Sequence, residues 1–219
     1  MSYEITGNSI PEIVYKSVLL ITEEGDIFTD QRGDKIQEVE DLTISIPAHK
    51  CTLHKDPLQA RLGIDFANGL IDDEAAKKRG EDFLYAYGWE AREENGVEKT
   101  YELLKSEPNT RRAYIPLFKP RHIGQEDIPC FVGLGFRRRD KSLGFHMKKQ
   151  NVLNLTAFSR SNEMVIAMQN DVYGFTQFQA WMADMLGILA GMYCQHVGSA
   201  HIRLNSEADT IKRILKEGY

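Results

Sequence analysis

Residues 175–193 read FTQFQAWMADMLGILAGMY and form the most apolar stretch of the chain. Its apolar side chains recur at helical spacing and share one wide face, which carries Phe175, Phe178, Met182, Met185, Leu186, Leu189 and Met192. The stretch has nearly the length of a membrane span, but Gln177, Gln179 and Asp184 interrupt it. We therefore predict a helix that is buried in a protein core.

Strand patterns lie on both sides of this helix. The alternating or branched apolar runs that predict strands cover residues 41–46, 112–119, 130–137, 144–146, 152–158 and 197–204. A helix is predicted over residues 9–20, because Ser9, Pro11 and Glu12 match a capping box. Residues 57–70, with an apolar residue every four positions, and residues 207–216 are also predicted to be helical. The charged run 72–82 is predicted to be a solvated connection or an exposed helix. Because strands and helices do not alternate regularly, we predict an α+β fold.

The composition describes an ordinary globular protein. With 219 residues, 42% hydrophobic and 27% charged, the chain suits one domain over residues 1–219 and excludes a disordered protein. Its formal net charge of −5 argues against dedicated nucleic-acid binding. The three cysteines form no CxxC pair, and the N-terminus lacks a secretory pattern. We expect free thiols and a cytoplasmic protein without membrane attachment.

Cys130 is the candidate nucleophile. A lone cysteine is most often a small buried apolar side chain, and Cys51 and Cys194 are interpreted in that way. Cys130 differs because several arginines lie near it in sequence, namely Arg111, Arg112, Arg137, Arg138, Arg139 and Arg160. Positive charge stabilises a thiolate, which is the reactive form of cysteine. The same arginines are equally compatible with solvated strand ends, so both interpretations stay open.

Two polar segments are candidate binding elements. Arg160 and Ser161 end a predicted strand, where a guanidinium and a hydroxyl can hold a phosphate or form an ordinary surface turn. His201 follows the core helix and is a candidate catalytic residue, a ligand-binding residue or a core residue. No histidine pair has metal-ligand spacing, and neither a P-loop nor GxGxxG is present, so we predict no metal site.

Six short segments follow one another along the chain: Tyr87-Gly88-Trp89, Asn109-Thr110-Arg111-Arg112, Pro129-Cys130, Arg160-Ser161-Asn162-Glu163, Asn170-Asp171 and Gly198-Ser199-Ala200-His201. Taken in this order, they resemble the thymidylate synthase and pyrimidine-nucleotide hydroxymethylase superfamily. They lie within residues 87–203, which is a little over half of the chain. The resemblance implies a large mixed β-sheet with flanking helices and a homodimer that packs sheet to sheet.

The resemblance also implies roles for individual residues. Cys130 falls on the nucleophile that adds to C6 of a pyrimidine nucleoside monophosphate. Arg160 and Ser161 fall on phosphate ligands, and Arg32 is a further phosphate ligand from a loop. Arg111 and Arg112 match a pair that completes the active site of the neighbouring subunit, so the homodimer would share its active sites.

Other implied roles concern the sugar, the base and the folate. His201 falls on a sugar contact, and Arg203 replaces a tyrosine and can donate to a ribose 2′-hydroxyl. The implied contacts of 5,10-methylenetetrahydrofolate are Glu163, Tyr87 and Trp89, and Glu163 replaces the usual aspartate. Asn170 lies in the implied nucleotide-binding segment. Asp65 is our candidate for the acid that relays protons around C4, with Glu38 as the alternative.

Asp171 favours a cytosine base. Thymidylate synthases carry asparagine there, whose amide donates to O4 of uracil and accepts from N3–H. An ionised carboxylate only accepts, so it pairs with the N4 amino group of cytosine and, in the covalent adduct, with a protonated N3. It would oppose O4 of uracil, at the cost of an unsatisfied buried polar group.

Three functions therefore stay open. The first is a cytidylate 5-hydroxymethyltransferase that uses dCMP or CMP. Thiolate addition makes C5 nucleophilic toward the methylene of the folate, and water then gives a hydroxymethyl group. The second is a divergent thymidylate synthase acting on dUMP, in which hydride from the folate gives a methyl group. The third is a nucleotide-binding protein of the same fold without catalysis.

Overall fold

The computed structural model describes residues 2–52, 57–82, 84–142 and 149–218. The strands are β1 (Tyr3–Thr6), β2 (Asp26–Thr29), β3 (Lys35–Pro47), β4 (Tyr114–Pro116), β5 (Phe131–Ser142), β6 (Lys149–Glu163) and β7 (Leu189–Arg203). The α-helices are α1 (Ile10–Glu24), α2 (Pro57–Ile71), α3 (Asp73–Asp82), α4 (Tyr87–Arg92), α5 (Gly96–Ser106), α6 (Ala167–Met185) and α7 (Ala208–Glu217). Short 3₁₀ turns follow β3 at residues 48–50, α4 at residues 93–95 and β4 at residues 120–122.

One mixed sheet organises these elements. Its strand order is β1-β3-β7-β6-β5-β4, and β2 also pairs with β3. The pairs β1/β3 and β6/β7 are parallel, whereas the other pairs are antiparallel. The sequence-based prediction of an α+β fold with a large mixed sheet and flanking helices is confirmed.

Helix α6 is the core helix of the fold. Phe175, Phe178 and Met182 are fully buried, and the Gln179 side chain donates to the Leu153 carbonyl of β6 over 2.7 Å. A buried polar side chain is tolerated there because it is hydrogen-bonded to a strand. No helix within the described ranges combines the length and apolar character needed to span a membrane.

The N-terminal helix begins as its capping pattern predicts. The Ser9 hydroxyl accepts from the Glu12 backbone N–H over 3.2 Å, and the Glu12 carboxylate accepts from the Asn8 backbone N–H over 2.8 Å. These bonds satisfy N–H groups that lack a partner in the first turn. Helix α1 buries Ile13, Val18 and further apolar residues against the sheet.

The prediction that residues 175–193 form one helix is wrong at its C-terminal end. Helix α6 stops at Met185, and Gly187 adopts a φ of +66°, which turns the chain out of the helix. Residues from Leu189 onward belong to β7. The sequence pattern missed this boundary because a short apolar run is compatible with either a strand or a helix.

Other boundaries also differ from the predictions. Of residues 112–119, only β4 is a strand, and β3 is much longer than the predicted 41–46. The charged run 72–82 is largely helix α3, which agrees with the predicted exposed helix and not with a connection. The predicted strand at 144–146 lies outside the described residues.

The sheet is interrupted at one level that crosses several strands. The pairing of β3, β7 and β6 skips Asp41, Gly198 and Arg160, and the β5–β6 register shifts just after Phe131. Asp41 has a φ of 56°, and a Cβ on Gly198 would lie 2.8 Å from the Arg160 carbonyl. Two segments that carry implied nucleotide contacts begin at this interruption. They are residues 160–163 on β6 and residues 198–201 on β7.

The sheet face away from α6 is open. Tyr114 is 45% exposed, and its ring lies 6.2 Å from that of Phe158, which stacks on His196 with a centroid distance of 5.5 Å. The Thr43 hydroxyl lies 3.0 Å from Nδ1 of His196. This open face therefore carries a continuous row of aromatic and polar side chains.

Candidate active site

Cys130 lies immediately before β5, and its main chain is held from two directions. The Tyr87 hydroxyl oxygen accepts from the backbone N–H of Cys130 over 3.2 Å and from that of Phe131 over 3.4 Å. The Cys130 carbonyl accepts from the Arg160 backbone N–H over 2.8 Å. The half-buried thiol is thus fixed between helix α4 and strand β6.

The Arg160 side chain lies next to this thiol. Its Nε donates to the Pro129 carbonyl over 3.0 Å, and its Nη2 donates to the Ile128 carbonyl over 3.0 Å. The same Nη2 lies 3.8 Å from the Cys130 sulfur. Backbone carbonyls therefore orient the cation without neutralising it.

Several groups set the proton affinity of the Cys130 thiol. Burial raises its pKa above the usual value, and the charges of Asp171 and Asp127 raise it further. Arg160 and Arg32 act in the opposite direction. The free protein accordingly holds mostly the thiol, with cations placed to stabilise the thiolate.

Asp171 lies on the second turn of α6 and faces the same region. Its Oδ2 accepts from the Asn162 amide over 3.0 Å. Burial raises the pKa of Asp171 to about 7, the bond from Asn162 lowers it, and the Glu163 charge raises it. Because Asp171 acts electrostatically on both Cys130 and the Tyr87 hydroxyl, these side chains share one site.

The raised pKa of Asp171 allows its carboxyl group to meet the base in a protonated form. A protonated carboxyl group offers one O–H donor and one carbonyl acceptor. It can therefore pair directly with N3 and the N4 amino group of cytosine, and equally with O4 and N3–H of uracil. The expectation that Asp171 opposes uracil applies only to its ionised form.

Ser161, Ser199 and His201 form a polar cluster on β6 and β7. The Ser161 hydroxyl lies 3.5 Å from that of Ser199 and 3.4 Å from Nδ1 of His201. Ser199 in turn donates to a Glu38 carboxylate oxygen. Burial lowers the pKa of His201, so its ring is neutral at physiological pH. The charges of Arg203 and Glu38 also act on this ring.

Glu163 caps helix α6. Its carboxylate accepts from the backbone N–H groups of Ile166 and Ala167, each over 2.9 Å, and from that of Val165. It also lies beside Glu207, whose pKa rises to about 7 through burial and the Glu163 charge. Because these partners occupy the carboxylate, its folate contact stays a prediction.

A cleft of about 230 Å³ opens beside Tyr87. Its walls include Phe66, Leu70, Arg79, Leu84, Tyr85, Tyr87 and Asp127. Asp127 and Tyr87 both act electrostatically with Cys130, so the cleft borders the thiol. Aromatic rings beside a guanidinium suit a planar heterocycle. The folate contact of Tyr87 stays a prediction. Arg79, Tyr85 and Phe66 were not predicted from the sequence.

Two further predicted residues have contacts with helices α2 and α3. Asp65 forms an exposed pair with Arg61 of its own helix at 4.0 Å, and its proton-relay role stays a prediction. Trp89 is 42% exposed and packs against α3, where a Cβ on Gly80 would lie 2.6 Å from its ring. Its folate contact likewise stays a prediction.

The remaining predicted residues take varied positions. Asn170 donates to the Ile166 carbonyl over 3.3 Å near the start of α6. Arg32 lies 3.5 Å from Asp127 at the mouth of the site. Arg111 and Arg112 are exposed, and Arg112 forms a pair with Glu107 in the same chain.

Comparison with known proteins decides the family. A family model described as thymidylate synthase matches residues 67–218. The chain belongs to the thymidylate synthase family. The prediction of this superfamily is confirmed. Members of the family are one-carbon transferases that bind a nucleoside monophosphate and use methylenetetrahydrofolate as co-substrate.

Individual relatives span much of the chain. A Methanosarcina mazei protein named "Putative thymidylate synthase" is 28% identical over 97% of this chain and 94% of its own length. A Bacillus phage SP01 protein named deoxyuridylate hydroxymethyltransferase is 28% identical over 54% of this chain and 30% of its own length. The crystal structure of thymidylate synthase from T4 phage matches with a TM-score of 0.68 at 16% identity, covering 91% of this chain and 79% of that one.

No cluster of three or more histidine, cysteine or acidic side chains in the described part of this thymidylate synthase family member is arranged to hold a metal ion.

Proposed function

We propose that this protein is a cytidylate 5-hydroxymethyltransferase that acts on dCMP or CMP with methylenetetrahydrofolate and water. The supporting observation is the pairing of a candidate nucleophile, Cys130, with a carboxyl group, Asp171, that is close enough to act on the pKa of the thiol. Asp171 stands where the resemblance expects an asparagine in thymidylate synthases.

The base would lie between these two side chains. The Asn162 amide holds one oxygen of Asp171, which fixes the orientation of the carboxyl group. In the protonated form, the carboxyl O–H donates to N3 of cytosine and its carbonyl accepts from the N4 amino group. This arrangement pairs both groups on the cytosine edge without requiring a charged base.

The covalent step would begin with the Cys130 thiolate. Its sulfur adds to C6, and the electron pair of the C5–C6 bond becomes available at C5. C5 then bonds to the methylene carbon while the first of its two C–N bonds to the folate breaks. A base removes the C5 proton, and the second C–N bond breaks as tetrahydrofolate leaves, which gives an exocyclic methylene on the ring. Water adds to that methylene, the C6–S bond breaks, and the thiolate returns.

The phosphate would bind on the basic side of the site. Arg160 lies next to the thiol with its charge uncompensated by a carboxylate among the described residues, and Ser161 and Arg32 lie nearby. A dianionic phosphate is a suitable partner for such a guanidinium.

A homodimer would complete the site. The open sheet face around Tyr114, Phe158 and His196 offers a surface for a second copy. Arg111 and Arg112 are exposed. We propose that they reach the phosphate site of the partner subunit.

A uracil nucleotide is the second candidate substrate. Relatives carry names that refer to thymidylate synthase and to deoxyuridylate hydroxymethyltransferase. The protonated form of Asp171 can also pair with uracil, by donating to O4 and accepting from N3–H. Cytosine remains the first proposal because a carboxyl group can hydrogen-bond to N3 and N4 whether N3 is protonated or not. Asparagine has one acceptor oxygen, so it cannot accept from both N3–H and the N4 amino group.

Product analysis tests this proposal. The protein is incubated with methylenetetrahydrofolate and dCMP, CMP or dUMP in separate reactions, and the nucleotides are weighed by mass spectrometry. A gain of one CH2O unit on a cytidine nucleotide supports the proposal. A methylated uracil nucleotide together with dihydrofolate supports a thymidylate synthase. Nucleotide binding without any product would indicate a protein that has lost catalysis.

A further inference from the structure

Glu38 lies beside Ser199 and His201, and the reaction steps proposed above do not use it. On β3 it is the direct register partner of His201 on β7, which is in turn the partner of Glu163 on β6. Register partners on neighbouring strands point to the same face of a sheet. The Glu38 carboxylate is therefore placed beside the imidazole ring.

A chain of hydroxyl groups connects Glu38 to that ring. The Ser199 hydroxyl donates to the Glu38 carboxylate, so its oxygen is left to accept. The Ser161 hydroxyl lies 3.5 Å away and donates to Ser199. Each hydroxyl has a single proton, and both protons in the chain therefore point toward Glu38.

The direction of these protons determines what the ring can do. Nδ1 of His201 lies 3.4 Å from the Ser161 oxygen, whose own proton is directed to Ser199. With its proton directed to Ser199, that oxygen is left to accept, and this arrangement favours a neutral ring that carries its proton on Nδ1. Nε2 then holds a lone pair. Because an ionised carboxylate only accepts, the Ser199 hydroxyl must donate to Glu38, and this sets the direction of the hydrogen bonds between the two serines.

We propose that Glu38 is a positioning residue for sugar recognition: it orients the two serines so that His201 carries its proton on Nδ1 and offers Nε2 as an acceptor to a sugar hydroxyl. The role in sugar binding rests on the proposed function, whereas the tautomer of the free protein does not. Groups that also act on this ring are Glu163 and Arg203, and the Ser199 main chain is a further hydrogen-bond partner.

Two substitutions reverse the chain in different ways. Glu38→Lys replaces the acceptor with a donor, so Ser199 must accept and Ser161 must donate to Nδ1. Ser199→Ala removes the middle of the chain without changing the charge, and it leaves Nδ1 as the acceptor for Ser161. Both should move the proton of His201 to Nε2. Glu98→Lys is the matched control, because Glu98 is exposed on α5, is no register partner of these residues and forms no ion pair with any described residue.

The tautomer is read by ¹⁵N NMR of the imidazole in the free protein near neutral pH, with His201→Gln identifying the signal. We expect Nδ1–H in the wild type and in Glu98→Lys, and Nε2–H in Glu38→Lys and Ser199→Ala. A wild-type protein with the His201 proton on Nε2 would overturn the inference. The same would follow if Glu38→Lys and Ser199→Ala both kept the wild-type tautomer.

Nucleotide binding gives the second readout. The dissociation constant of dCMP should rise about tenfold in Glu38→Lys and Ser199→Ala, on the scale of one lost hydrogen bond, and stay within about twofold in Glu98→Lys. Equal affinity in all four proteins would remove Glu38 from sugar recognition. Failure of the wild type to bind any pyrimidine nucleotide would instead contradict the proposed function and leave the tautomer result valid.

Discussion

Nη2 of Arg160 lies 3.8 Å from the Cys130 sulfur while the same guanidinium donates to the carbonyls of Ile128 and Pro129. The segment that carries the thiol is thus tied to the cation that favours its ionised form. Carbonyl groups orient the guanidinium but leave its positive charge in place. The charge is available both to the thiolate and to the phosphate that we propose binds beside it.

Removing this charge should suppress formation of the Cys130 thiolate. Burial raises the pKa of Cys130 and Arg160 lowers it, so Arg160→Gln should shift the thiol titration to higher pH. Alkylation of Cys130 by iodoacetamide, followed by peptide mass spectrometry across pH, measures the shift. Arg160→Lys keeps the charge and should move the midpoint less. Coincident titration curves for the wild type and Arg160→Gln would show that the cation does not act on the sulfur.

Cys130→Ser should abolish turnover. A hydroxyl has a far higher pKa than a thiol and forms no useful amount of anion here, so the rate should fall by at least about a thousandfold. Nucleotide affinity should change by no more than about threefold, because the substitution is small. Cys194→Ser, on the open sheet face, is the matched control. Retained turnover in Cys130→Ser would exclude the covalent mechanism.

The thermal stability should depend on pH through Asp171. Its pKa is raised to about 7 in the folded protein, so between about pH 4 and pH 7 the folded state binds more protons than the unfolded state. The stabilisation from this group is complete below its unfolded pKa and is lost as the pH rises through about 7. Asp171→Asn should therefore flatten the fall in Tm across this window.

Calorimetry of both proteins from pH 5 to pH 8 provides the test. Glu207, also raised to about 7, should leave a residual slope in Asp171→Asn. The exposed acid Asp209 on α7 supplies the control Asp209→Asn, which should follow the wild type. Parallel Tm curves for the wild type and Asp171→Asn would contradict the raised pKa.

Shared active sites predict complementation between inactive subunits. A Cys130→Ser subunit retains its arginines, and a subunit with Arg111→Ala and Arg112→Ala retains its thiol. Random reassortment should restore about one quarter of wild-type activity, since half of the dimers then carry one complete site. Mixed dimers that form but remain inactive would argue against sharing of the site.

Local patterns in the sequence were sufficient for much of the fold. The Ser9 cap predicted helix α1, and the four-residue apolar spacing of residues 57–70 predicted α2. The boundary between α6 and β7 was missed because the apolar run continues through both elements, and only the positive φ of Gly187 separates them. Short edge strands such as β1 and β2 carry too few residues for a recognisable period.

The candidate site was predictable in its motifs and not in its proton chemistry. Cys130 and Asp171 could be paired through the resemblance, but the pKa of Asp171 depends on burial that no sequence pattern encodes. Arg79 was hidden in a charge-rich run that suggested a solvated helix. Glu38 meets Ser199 only because β3 and β7 are adjacent in the sheet, far apart as they are in the chain.

Competition between two nucleotides tests most directly whether Asp171 selects the base. The wild type and Asp171→Asn are each given equal dCMP and dUMP with methylenetetrahydrofolate, and both products are quantified by mass spectrometry. We expect the wild type to hydroxymethylate dCMP preferentially, and Asp171→Asn to shift the kcat/KM ratio at least about tenfold toward dUMP. The same base preference in both proteins would contradict the account.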